Sequence, residues 1–288
     1  MNFAFPARAA SPVVELPAAS GAAQQRAGVL RALLRRGLLD NRRAPLVQGG
    51  ALGVMSALVV LLYPSIRVSL AQTMDSFPSG VKQAFGITDL ATVEAFLNGE
   101  MFSLFLPLAV AYFAIRCVAT SIAGAEEHGY LDTVLATPVA RRMFVMSGFL
   151  TAATLAAATL LVTGVLTAAG GVLAGEPIAT GDLAGALAGV WGLALFFAAC
   201  ATLAAGVTHR ASTVLGVGAG LLGAMYLMDV LGKLAPSVSD LRWLSAFRYY
   251  GLPLTEGLNV AGLVALVAAS TLLATLGAVL HERRDITG

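Results

Sequence analysis

Apolar residues in this chain fall into long uninterrupted runs, not into the alternation of a half-buried sheet. Six runs stand out: 45–64, 101–123, 143–172, 184–206, 211–231 and 258–280. Each reaches the ~20 residues that a helix rising ~1.5 Å per residue needs to cross ~30 Å of hydrocarbon. The second and third runs are separated by residues 121–142, SIAGAEEHGYLDTVLATPVARR. Glu126 and Glu127 open this polar stretch, and Leu131, Val134 and Leu135 fall at i, i+3, i+4, the spacing of one helix face. Pro138 ends the short helix, because proline lacks the N–H and the residue before it avoids the α region. Arg141 and Arg142 mark the start of the next run. So short a helix cannot cover its own apolar face, so a partner is expected to cover it.

A different pattern precedes the first run. Residues 1–22 are rich in Ala, Pro and Ser, with no apolar core behind a basic start. They read as a disordered tail and not as a signal peptide. Residues 23–43 carry Leu30, Leu33, Leu34 and Leu38 as one stripe flanked by Arg31, Arg35 and Arg36, which predicts an amphipathic helix lying on the membrane surface. Residues 44–288 form the six-span domain. The fold class expected is therefore an all-α polytopic membrane protein with six transmembrane helices.

Composition agrees. Hydrophobic residues make up 58% of the chain and charged residues 12%, about half the charge of a typical soluble domain, and the mean hydropathy is +0.82. A formal net charge of +2 gives no reason to expect a nucleic-acid partner. Charge also orients the spans. Arg8, Arg26, Arg31, Arg35, Arg36, Arg42, Arg43, Arg141, Arg142, Arg210, Arg283 and Arg284 fall on one side, twelve in all, against Arg67, Lys82, Lys233, Arg242 and Arg248 on the other. Both termini and residues 124–142 are thus expected in the cytoplasm, with the protein in the inner or plasma membrane. Arg116 lies within the second run. Its cost, roughly +2.5 to +3.5 kcal/mol at a helix centre, is balanced by neighbours worth about −0.3 to −0.6 kcal/mol each, and near the cytoplasmic end it can snorkel.

Two segments on the outer side are long. Residues 65–100 show only short apolar pieces, 81–87 and 90–97. Residues 232–257 hold Trp243, Phe247, Tyr249 and Tyr250 beside Pro236 and Pro253, a composition that suits either a headgroup belt or a shallow re-entrant element.

Several chemistries are missing. There is no G-x-x-x-x-G-K-[ST] phosphate loop; Gly232-Lys233 is followed by Leu234. No Asp, Glu or His falls in mid-span, since Asp229 and Glu100 sit near span ends, so proton or sodium coupling is not expected. Cys117 and Cys200 lie in apolar runs as buried thiols. His128, His209 and His281 lie on three separate segments without metal-ligand spacing. Gly216 and Gly220 make a GxxxG pattern with Gly223 one position off that face, read first as close helix packing and second as a dimer contact. No paired carboxylates or Ser-His-Asp set suggests an enzyme.

The run Ala125–Arg141, AEEHGYLDTVLATPVAR, resembles the E-E-x-G-x-L-x-x-L-L-A-x-P-V-x-R signature of type-2 ABC exporter permeases. Residues 244–251, LSAFRYYG, resemble that family's S-P-F-R-Y-Y stretch, with Ala246 in place of Pro. The ending HERRDI at 281–286 resembles its F-x-R-R-D-[IL] finish, with His281 in place of Phe. The resemblance implies six spans per half and two halves per transporter, as a homo- or heterodimer. It also implies separate ABC ATP-binding subunits that carry ATP and Mg, with no cofactor on this chain. Glu126, Glu127, Gly129, Leu131, Val134, Leu135, Pro138 and Arg141 would then form a coupling helix resting on the ATPase. The helix carrying Leu30, Arg31, Leu34 and Arg35 would lie beside it against membrane lipid, and Phe247, Arg248, Tyr249 and Tyr250 would form an outer loop. Such permeases export drugs, antibiotics, lipids or polysaccharides; the Ala-, Leu-, Gly- and Val-rich spans here favour a hydrophobic or amphipathic cargo. The competing reading is a membrane-embedded regulator or scaffold that works with an ABC ATPase without moving substrate.

Overall fold

The computed structural model describes residues 19–74, 92–127 and 140–283. The described chain is helical throughout, without a strand. Helix α1 spans Ala19–Asp40 and α2 spans Ala44–Met74. Helix α3 runs from Val93 to Glu127 and includes two π-helical stretches, Asn98–Phe105 and Ala119–Ala123. Helices α4 (Arg141–Ala174), α5 (Thr180–Ala205) and α6 (Ala211–Leu234) follow. A 3₁₀ segment at Pro236–Leu244, the short α7 at Ala246–Tyr250 and α8 at Val260–Arg283 complete the chain.

Helices α2, α3, α4, α5, α6 and α8 are each long and apolar enough to cross a membrane, so this is a multi-pass membrane protein. Their most apolar windows are 61, 56 and 61% buried in α3, α4 and α5, against 28, 22 and 28% in α2, α6 and α8. The middle three therefore form the core, and the other three line the outside of the bundle.

Two boundaries extend past the apolar runs. Helix α2 continues beyond Pro64. Proline removes one backbone donor, which transmembrane helices tolerate when neighbours compensate. Helix α3 begins at Val93, eight residues before its apolar run, because Thr92 caps it: the Thr92 Oγ1 accepts from the Ala95 N–H at 3.3 Å. Helix α4 ends in a Schellman motif. Gly175, at φ 74°, donates to the Val172 carbonyl and Glu176 donates to that of Gly171. Arg67 of α2 then reaches Glu176 at 3.4 Å, tying the end of the first span to the α4–α5 turn.

Small residues and hydroxyls set the helix spacing. The Thr163 hydroxyl of α4 donates to the Gly49 carbonyl of α2 at 3.2 Å, besides bonding its own helix. Gln48 of α2 donates to the Ala109 carbonyl of α3, and Trp191 of α5 to the Ala153 carbonyl of α4. Helices α5 and α8 approach backbone to backbone, since a Cβ on Gly277 would lie 2.7 Å from the Thr202 carbonyl oxygen. Helix α1 lies against α4, with Gly37 facing Thr151. Its Leu30, Leu33, Leu34 and Leu38 are half-buried, while Arg31, Arg35 and Arg36 are exposed. Arg116 lies on an exposed stripe with Tyr112 and Thr120, outside the packed interior.

Two glycines of α6, Gly218 and Gly232, pack closely against Ile115 and Arg242, but the others on this helix do not. A Cβ on Gly216, Gly220 or Gly223 would meet nothing within 4 Å. Val217, Leu227 and Leu231 on the same helix are more than half exposed. The GxxxG face therefore points away from the other described residues.

Candidate functional site

The bundle has a chemically distinct cluster at each end. The first lies where α3 gives way to residues 128–139. Gly129, Leu131, Val134, Leu135 and Pro138 lie outside the described residues. The carboxylates just before them are described: Glu127 is exposed, and Glu126 turns inward. The Glu126 side chain is only 8% exposed. Its Oε1 lies 3.2 Å from Nε2 of His281, which is buried near the end of α8. Its Oε2 lies 3.7 Å from Nδ1 of His209, in the turn between α5 and α6. The first distance is that of a hydrogen bond, and the second is that of a looser contact that becomes an ion pair when His209 is protonated.

Glu127 acts on a third element. Helix α6 starts after Arg210, whose side chain provides no cap. Glu127 Oε2 instead accepts the Ala211 N–H at 3.2 Å, satisfying an otherwise unpaired helix-start donor and placing negative charge at the positive end of the helix dipole. Arg141 opens α4 half-buried, and Arg142 is exposed beside it. Together the two glutamates join the end of α3 to the near ends of α5, α6 and α8.

Beside this cluster an open cleft of about 760 Å³ is lined by α1, the end of α3, the start of α4 and Ala211. Leu33 and Phe144 give it apolar walls, Thr120, Ser147 and Thr151 give hydroxyls, and Arg36 and Asp40 stand at the α1 side.

At the opposite end, residues 245–250 form a wedge of contacts with separate elements. The Ser245 hydroxyl donates to the Met225 carbonyl of α6 at 2.7 Å, and its oxygen accepts the Phe247 N–H to start α7. Phe247 is buried against Phe197 of α5 and edge-on to Tyr226 of α6, at ring-centroid distances of 6.1 and 5.4 Å. Arg248 stacks on Trp243, 3.8 Å from the ring centroid. The Tyr249 carbonyl accepts from Asn259 at the start of α8. Tyr250 donates its hydroxyl to the Phe102 carbonyl within the first π-helical stretch, at 3.0 Å. Complete burial pushes the Tyr250 phenol well above its ordinary pKa.

Within this segment Phe247 and Tyr250 are buried against the chain's own helices. Trp243 and Leu244, 61 and 67% exposed, form its exposed rim. Replacing Tyr250 by Phe would leave a buried carbonyl unpaired in α3, and should lower stability by about 1–3 kcal/mol, measured as earlier thermal unfolding of the detergent-solubilised protein.

A third polar group also closes this end. Asp229, buried in α6, meets Lys233 Nζ at 2.7 Å and Arg242 Nε at 3.1 Å. The residue numbers predict the Lys233 contact, one helical turn away, but give no sign of Arg242. His209 and His281 were equally hidden, because 72 residues separate two side chains that meet on one carboxylate. Among the described residues no group of His, Cys, Asp and Glu has the arrangement of a metal site. Cys117 and Cys200 are free and half-buried.

Residues 43–281 match the family described as "Multidrug efflux system permease Rv1217c, C-terminal domain". No curated protein matches the chain. The matched range covers five spans and the sixth as far as His281, the Glu126 cluster and the Tyr250 wedge, in keeping with the exporter-permease signatures at 125–141 and 244–251. The chain therefore belongs to this family of multidrug efflux permeases.

Proposed function

We propose that this permease forms the export path for a hydrophobic or amphipathic substrate and takes its energy from separate ABC ATP-binding subunits seated on residues 125–138. The observation that carries this reading is the match of a six-span bundle to an efflux permease family over residues 43–281. Two features support it further. The given sequence has no phosphate-cradling loop, which suits a permease energised by a separate ATP-binding subunit. Its signature segment also carries an apolar face, Leu131, Val134 and Leu135, that calls for a partner. ATP-driven closure of the ATPase pair would press on that segment and rock the two permease halves. The cleft beside α1, with apolar walls and a few hydroxyls, has the lining expected of a site that admits an amphipathic molecule.

The second half, a copy of this chain or a close relative, would seat on the open face of α6. A Gly216→Leu, Gly220→Leu double substitution should leave the monomer's unfolding temperature unchanged, because no atom of the described residues lies within 4 Å of a Cβ added at either glycine. It should convert the assembly to monomers on size-exclusion chromatography in detergent. A dimer of unchanged strength would place the interface elsewhere.

The twelve-to-five Lys/Arg asymmetry supports a cytoplasmic position for both termini and residues 124–142. With Cys117 and Cys200 replaced by Ala, a cysteine at the exposed position Asp182 should react with an impermeant maleimide added to whole cells. One at the exposed position Arg42 should react only after lysis. The reverse pattern would invert the topology. The purified chain alone should show no saturable ATP binding by calorimetry, and a stoichiometric site would overturn the division of labour between subunits.

A further inference from the structure

We infer that Glu126 is a positioning residue for energy coupling. Its buried carboxylate ties the root of residues 128–139 to α8 through His281 and to the α5–α6 turn through His209, and it does not face the ATPase. This inference rests on the ATP-driven export proposed above and assigns the signature glutamate a task inside the permease.

The geometry supports it in three ways. First, a carboxylate reserved for a partner protein would stand open in the single chain, whereas the Glu126 side chain is 8% exposed. Burying a carboxylate is costly unless donors meet it, and His281, itself buried, supplies one at 3.2 Å. The Nε2–H of His281 serves whether the ring is neutral or protonated. Second, the neighbouring Glu127 caps α6 through the Ala211 N–H, so both glutamates connect the end of α3 to elements of this chain. Third, the elements they hold are locked together. A Cβ on Gly206 would lie 2.6 Å from the Gly277 carbonyl oxygen, and one on Gly277 would lie 2.7 Å from that of Thr202. Helices α5 and α8 thus meet with no side chain between them, immediately before the two histidines. Packed elements of this kind move as bodies and do not deform smoothly. A push on residues 128–139 would reach α5, α6 and α8 together through one carboxylate.

The test uses the full chain with its ATPase in proteoliposomes, with a fluorescent amphipathic dye as the transported probe. Three quantities are read: ATPase co-purified per permease, ATP hydrolysed, and dye moved per ATP. Glu126→Ala and His281→Ala should each retain ATPase within about twofold of wild type and should move at least tenfold less dye per ATP. The double variant should be no worse than the poorer single variant, because both changes break one link. Glu126→Gln, which keeps an acceptor for His281, should stay within about threefold of wild type. If the alanine variants do not fold, Glu126→Met with His281→Phe replaces both partners by apolar groups; it should assemble and still lose at least fivefold in dye per ATP. Loss of ATPase binding by Glu126→Ala with none by His281→Ala, multiplied losses in the double variant, or full coupling in the Met/Phe variant would each overturn the inference. A wild-type complex that hydrolyses ATP without moving dye would overturn the transport reading itself, and this role with it.

Discussion

Replacing Leu131 or Leu135 with Asp is expected to abolish assembly with the ATP-binding subunits while leaving the six-helix bundle in the membrane. The two leucines share one face of the short helix that the 125–138 pattern predicts, between a glutamate pair tied to the ends of other helices and Pro138. If that face is the seat of the ATPase, either change places an unpaired charge in a protein interface. Such a charge costs about 3–5 kcal/mol, which weakens association by roughly two to four powers of ten. Pull-down of the ATPase by tagged permease should therefore fail, and ATP hydrolysis should no longer depend on the permease. Expression and membrane insertion should match wild type, because the segment lies outside the apolar runs. Thr133→Asp, off the apolar stripe, provides the control and should assemble normally. If both leucine variants assemble and export at wild-type rates, residues 125–138 are not the coupling element.

A large effect on folding is expected at Gly277. The atoms that a Cβ would meet there are the Thr202 carbonyl oxygen at 2.7 Å and the Leu203 backbone at 2.9 Å. Neither can rotate away as a side-chain tip could, so α5 and α8 must separate along the contact that closes one side of the bundle. Gly277→Ala should cost about 3 kcal/mol or more, at or above the upper end of ordinary overpacking, and Gly277→Leu should give no folded protein. Gly216→Ala makes the contrast. With nothing within 4 Å, it should hold stability or raise it by up to about 1 kcal/mol, the helix propensity that glycine lacks. Thermal unfolding of the three variants in detergent, against wild type, measures both. Equal destabilisation at 277 and 216 would contradict the packing described.

Much of the fold could be read from the residue pattern because lipid leaves the chain few options. A backbone crossing hydrocarbon must satisfy its own hydrogen bonds, so six apolar runs became six helices. The helices run past the apolar runs where a local cue weakens. Pro64 and the polar residues after it hid the continuation of α2 to Met74, and the Thr92 cap carries the start of α3 beyond its apolar run. The glycines of α6 and α8 look alike in sequence, yet Gly277 is buried against backbone and Gly216 is open. Spacing within one helix cannot tell which face meets a neighbour.

The site was legible in part. The 244–251 motif marked Phe247 and Tyr250, but only the fold shows that each locks α7 to a different helix. The 125–141 motif marked Glu126, grouped there with residues that touch the ATPase. Its two histidine partners come from distant segments, and no periodicity could have brought them together. Asp229 and Arg242 follow the same rule across the turn after α6.

The most direct test of the central claim is dye transport by inside-out proteoliposomes carrying the permease and its ATPase. ATP and Mg on the outside should drive accumulation of an amphipathic dye, and neither protein alone should do so. Accumulation by the permease without the ATPase, or brisk ATP hydrolysis by the pair with no dye moved across a broad panel, would contradict the account.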